Sequence, residues 1–278
     1  MKKAGGVESF DRKIRIVYCH SKREMHFMWY DFNLEEGQLD GVTWRLARPR
    51  ERPPQVVDAE GRPMWYWRAH FWNAFPFVEV ALLRRGWHVA FIEVDELYGG
   101  PECMRRYESL YDEMVRHGFS RRPAMVGMSR GGLDVVNWAI LHPDRLSCIY
   151  LDNPVLNVFS WPLGRGASRD PDCASGVCWE NFKRAWHLSE QEALAFGNNP
   201  IDAAIEPLAK ANIPLFIAQA GADTIVPKEE NADLFVERLR KAGCQPIVFR
   251  KPECDHHPHS LNPPDPIVDF IEDACRNT

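Results

Sequence analysis

The stretch Ala124-Met125-Val126-Gly127-Met128-Ser129-Arg130-Gly131-Gly132 decides the reading of this chain. It opens as a short apolar strand at 124–126. From Gly131 to Leu141 the apolar spacing is helical, and it stops ahead of Pro143. Between the two lies G-x-S-x-G. Chemistry at a serine hydroxyl needs a sharp strand-to-helix turn that lifts the side chain above the sheet edge in a strained conformation. Neighbouring glycines remove the bulk that would keep strand and helix apart. The five-residue pattern alone is weak, because an ordinary tight turn also satisfies it. Flanked by a strand and a helix, it marks Ser129 as a candidate nucleophile.

Outward from this turn the pattern alternates. His88–Val94 is a near-continuous apolar run, as a strand buried on both faces requires. Further strands are expected at 146–151, 214–220 and 246–251. Residues 27–34 and 39–48 read as two more, joined by the turn E-E-G-Q. The aromatic segment 64–77 begins as a strand and continues as a loop. Helices are expected at 78–85, 102–117, 131–141 and 228–242, and Asp265 with Pro266 opens a last one. Residues 153–212 break the alternation with Pro, Gly, Asn and Trp. Two helices are expected there, one near 179–187 and one starting at the capping box Ser189…Glu192. We read this segment as a lid or cap insertion. The remainder predicts a single α/β domain over 1–278, with a mostly parallel central sheet and helices on both faces.

A serine hydroxyl needs a base, and the base needs an orienting acid. Asp223, in G-A-D-T-I-V-P, follows the strand 214–220, where such an acid belongs; it would serve equally as a turn-forming Asp. The base falls in Asp255-His256-His257-Pro258-His259, with His256 first and His257 second. The same cluster has the composition of a metal site, although ligands so close in sequence converge on one ion only with strain. An oxyanion needs two donors. One is the backbone N–H of Arg130. The other is sought in Arg68-Ala69-His70, with Ala69 as the choice. Arg68, His70, Trp72, Trp161 and His259 are candidate substrate-binding residues. Most of the ten tryptophans read as core.

Apolar residues make up 45% and charged residues 26%, and the net charge is −5. Disorder and the basic footprint of a nucleic-acid binder are both excluded by this balance. No dinucleotide or phosphate-loop pattern occurs, so no cofactor is expected. The basic N-terminus has no apolar run behind it and no stretch reaches membrane-spanning length, which leads us to expect a cytoplasmic protein without a membrane partner. Of eight cysteines, Cys173 and Cys178 are the best candidates for a bridge, against eight reduced thiols. The aromatic insertion leaves a homo-oligomer open.

The motifs G-M-S-R-G-G-L, G-A-D-T-I-V-P and H-H-P-H-S-L, with W-R-A-H-F, N-P-I-D and D-P-I-V-D-F-I, resemble a bacterial branch of the α/β-hydrolase superfamily, related to the prolyl-oligopeptidase-like esterases. The resemblance runs over most of the chain. It implies the α/β-hydrolase fold, a triad of Ser129, Asp223 and a histidine of the H-H pair, and a carboxylic ester substrate, either carbohydrate-linked or of the general carboxylesterase kind. A small peptidase is the alternative within hydrolases, and a non-catalytic ligand-binding chain the alternative outside them. Such hydrolases usually carry Gly before the catalytic His; here Asp255 stands there, which could redirect the loop or raise the pKa of the base.

Overall fold

The computed structural model describes residues 28–50 and 56–276. The expectations on Phe27 and Cys19 lie outside them. Among the described residues, eight strands form one sheet: β1 Asn33–Leu39, β2 Val42–Arg48, β3 Trp65–Arg68, β4 His88–Ile92, β5 Ala124–Met128, β6 Cys148–Asp152, β7 Leu215–Ala220 and β8 Ile247–Lys251. Their order is β1-β2-β4-β3-β5-β6-β7-β8. β1 and β2 pair antiparallel with each other, and β2 with β4; from β4 onward every pairing is parallel.

Period-two alternation sorts the side chains onto two faces. Trp65, Trp67, Met125, Ile149 and Ile217 join one core with the helices α1 Pro101–Arg116, α2 Gly131–Leu141 and α3 Ala232–Lys241. Tyr66, Val126, Tyr150 and Phe216 join the other with the helices at Phe77–Arg84 and Asp265–Cys275. The expectation of helices on both faces holds.

The N-terminal hairpin differs from its reading. Met28–Asp31 is a 3-10 turn rather than strand, and E-E-G-Q lies inside β1. The reversal is Asp40-Gly41, with φ of 50° and 76°. Two positive φ values are what a two-residue hairpin turn needs to match strand twist, and Asp-Gly supplies them.

Residues 153–212 carry short helices at Pro171–Ala174, Val177–Trp186, Glu190–Leu194, Pro200–Ala203 and Ile205–Ala211. The capping box Ser189–Glu192 is present with both of its hydrogen bonds. Trp161, Trp179, Phe182 and Phe196 form a third core here with Tyr98, Leu133 and Val226. No helix among the described residues is long and apolar enough to cross a membrane.

Candidate active site

Ser129 follows the last residue of β5 with φ of 51°. A non-glycine residue holds that left-handed conformation only when its surroundings enforce it. Here the Ser129 N–H donates to the Asp152 carbonyl at 2.9 Å, and the Ser129 carbonyl accepts from Gly132 and Val155, each at 2.9 Å. A Cβ on Gly127 would stand 2.6 Å from the Gly131 carbonyl oxygen, and one on Gly132 would stand 2.7 Å from that of Val155. Both glycines are therefore required by close backbone approach.

His256 Nε2 lies 2.8 Å from Ser129 Oγ, and His256 Nδ1 lies 2.8 Å from Asp223 Oδ2. The three residues come from the ends of β5, β7 and β8, at one edge of the sheet. Asp223 also does what its turn setting suggests, since its Oδ1 accepts from Ile225 N at 3.0 Å and Val226 N at 2.7 Å. These bonds fix the carboxylate so that Oδ2 faces the imidazole. Between the two histidines, the structure places His256 in the relay. His257 is exposed and stacks on Phe75 instead.

The histidine loop is pinned from below. Asn153 Nδ2 donates to the His256 carbonyl at 2.7 Å. Asp152 is fully buried; its Oδ1 accepts from Lys251 Nζ and His259 Nδ1, each at 3.0 Å, and its Oδ2 from Ser260 N at 2.7 Å and from the Tyr150 hydroxyl. Burial opposes ionisation of Asp152, but Lys251 and His259 hold its carboxyl well below the usual range. Burial pushes His259 down to about 4 despite Asp152 beside it. His259 is thus a strut of this loop rather than a residue presented to substrate.

Asp255 anchors the loop that carries His256. Its Oδ1 accepts from Thr224 N and from His256 N, each at 2.8 Å, which ties the base loop to the acid loop. These backbone N–H groups, Thr224 first, lower its pKa even though partial burial raises it.

Four expectations, one for the oxyanion donor and three for substrate binding, need correction. The Ala69 N–H donates to the Val126 carbonyl at 3.3 Å, continuing the β3–β5 ladder, so it is engaged in the sheet. Arg68 is fully buried; its Nη1 meets Glu79 Oε1 at 2.5 Å, and the guanidinium caps the carbonyls of His70, Phe71 and Ala74. It shapes the loop after β3 and does not face a ligand. Trp72 is buried, stacked on Trp29 at 4.0 Å between ring centroids, in the core of the sheet's other face. Trp161 stacks on Tyr98 and donates to Asp170 at 2.8 Å, within the third core.

Arg130 stands at the N-cap of α2, where the first main-chain N–H groups of a helix have no partner within it. Its side chain reaches Glu96 at 2.5 Å, Asp95 at 3.3 Å and His70 Nε2 at 3.2 Å. His70 is buried with Nδ1 on Asp134 at 2.9 Å, and its Nε2 is also 2.9 Å from Asp95. One nitrogen cannot serve both partners: neutral His70 accepts from Arg130, and protonated His70 donates to Asp95. Burial lowers the His70 pKa, but Asp134 and Asp95 outweigh it, and the net shift is upward.

Sequence reasoning missed Asp152, Asn153, Lys251, Asp95 and Asp134. The Cys173 and Cys178 thiols are free and hydrogen-bonded to each other, without the bridge. A cleft of about 660 Å³ lined by Arg62, Tyr111, Arg121 and Arg145 lies at the opposite, N-terminal ends of the strands.

Neither a protein-family model nor a curated protein sequence matches the chain. Solved structures do. A puromycin-hydrolyzing peptidase of Mycobacterium tuberculosis matches with a TM-score of 0.62 and 14% identity, over 86% of this chain and 37% of its own. Pyrococcus horikoshii acylaminoacyl peptidase matches at 0.61 and 13%, over 89% and 42%. A bacterial membrane phospholipase A matches at 0.55 and 15%, over 93% and 91%. The chain thus spans about two fifths of the length of these peptidases and nearly all of the phospholipase. Sheet order, helices on both faces and these neighbours agree with the resemblance in the sequence: the chain has the α/β-hydrolase fold, with structural neighbours of prolyl-oligopeptidase type.

Proposed function

We propose that the chain is a serine hydrolase that transfers an acyl group to water through Ser129. The observation that carries this reading is the continuous relay from Ser129 Oγ through His256 to Asp223, with both contacts at 2.8 Å. Ser129 attacks the carbonyl carbon as His256 Nε2 takes its proton. Asp223 holds the imidazolium, and His256 returns the proton to the leaving group. Water then releases the acyl group from Ser129 by the same steps. The Arg130 N–H is one donor to the oxyanion. With the Ala69 N–H engaged, the second falls to the main chain of His70 or Phe71, in the loop packed against the serine turn. Residues 153–212 act as the cap over this site.

An ester of a small molecule or a carbohydrate is one substrate reading. An amide or peptide bond is the second, and the names of the neighbouring peptidases favour it. The same relay serves both. A fluorophosphonate probe should label the wild type and not Ser129→Ala; labelling that persists in the variant sinks the assignment. Acetylated sugars, methyl uronates, aryl esters and aminoacyl amides, assayed side by side, separate the two substrate readings.

A further inference from the structure

We propose that His256, His257 and His259 together form a binding site for a divalent cation of the zinc type, and that filling it shuts off the hydrolase proposed above. One ring nitrogen from each lies within 4.8 Å of one from each of the other two, and the three ring centroids stand 5.0 Å apart in every pairing. Zinc takes imidazole nitrogens at about 2.0–2.1 Å in tetrahedral geometry, which places ligand atoms roughly 3.4 Å from one another. Closure from the present spacing is a movement on the order of 1 Å. His257 is the exposed member of the three, held among the described residues only by ring contacts to Phe75 and its two histidine neighbours, so closure falls mainly to its side chain.

The surroundings favour a metal in a second way. Metal-binding histidines usually donate their other ring N–H to a carboxylate, which fixes the ring and raises its basicity. Two of the three already have that partner on Nδ1: Asp223 at 2.8 Å from His256, and Asp152 at 3.0 Å from His259. Both Nε2 atoms are thereby left as ligands. His256 Nε2 is also the atom that faces Ser129 Oγ. A cation held there takes the lone pair that would accept the serine proton. The metal inhibits, and a chelator restores activity, the reverse of what a metal-dependent hydrolase shows.

The inference rests on the serine-hydrolase reading for its effect but not for its site. Calorimetric titration of the full chain with zinc chloride tests the site directly, using wild type, Ser129→Ala, His257→Gln and the double variant Cys173→Ser/Cys178→Ser. The double variant controls for the other cluster of ligand type, Asp170, Cys173 and Cys178. Binding should persist in Ser129→Ala and in the cysteine variant, and weaken by at least about tenfold in His257→Gln. Zinc should also slow fluorophosphonate labelling of the wild type, EDTA should reverse this, and the fold-slowing by zinc, measured against each protein's own zinc-free rate, should be much smaller in His257→Gln. Equal affinity in His257→Gln, loss of binding in the cysteine variant, or no uptake by the wild type overturns the site. Labelling that never occurs while zinc still binds through His257 overturns the hydrolase reading and leaves the site standing.

Discussion

Lys251 Nζ meets Asp152 Oδ1 at 3.0 Å with both side chains buried, and the same ammonium donates to the Pro258 carbonyl in the loop that carries His256. An ion pair so placed stabilises less than its Coulomb attraction suggests, because both charges have left water; removing one partner is what costs. Lys251→Met leaves Asp152 charged and uncompensated. It should lower stability by about 3–5 kcal/mol, which for a chain of this size shifts the melting temperature by roughly 10 °C. Because the Asp152 carboxyl titrates low in the fold, its contribution is present above its unfolded value of about 3.9 and is lost as the pH falls below that. Thermal melts from about pH 5 down to about pH 2 should show a wild-type acid loss that is shallower in Asp152→Asn. Equal slopes contradict this account.

His70 behaves with the opposite sign. Its pKa is raised in the fold, with Asp134 and Asp95 outweighing burial. The stability it contributes is complete below its unfolded value of about 6.5 and disappears as the pH rises through the higher folded value. Asp134→Asn should remove this alkaline loss. Melting curves from pH 5.5 to 8.5 that keep the wild-type dependence in the variant argue against His70 as the titrating group.

Asp255 is exposed, yet its carboxylate joins the acid and base loops through two main-chain N–H groups. Replacing it by Ala should cost little stability, about 1 kcal/mol. The rate of fluorophosphonate labelling should fall several-fold as the His256 loop loosens. A large melting shift with an unchanged labelling rate would reverse the interpretation.

The meeting of Ser129, His256 and Asp223 was legible because each sits beside local punctuation: Ser129 beside glycines, Asp223 in a turn after a strand, His256 after the last strand. Its supports were not. Asp152 and Lys251 are 99 residues apart and meet only because β6, β7 and β8 lie side by side. An arginine at a strand end, such as Arg68, looks the same in sequence whether it faces a ligand or a buried carboxylate. Glu79, on the helix packed behind it, decides the matter. The hairpin turn was misplaced because Gly37 looked like the reversal. Asp40-Gly41 carries the positive φ values, and Gly37 lets the β1 backbone pass close to the Trp44 ring.

The left-handed conformation of Ser129 sets stability against activity. A side chain in that region costs on the order of 1–3 kcal/mol relative to a relaxed backbone, whereas glycine adopts it freely. Ser129→Gly should therefore melt higher than both the wild type and Ser129→Ala while taking up no probe. If so, the most robust form of this molecule is an inert one, and selection for robustness alone would erase the hydroxyl.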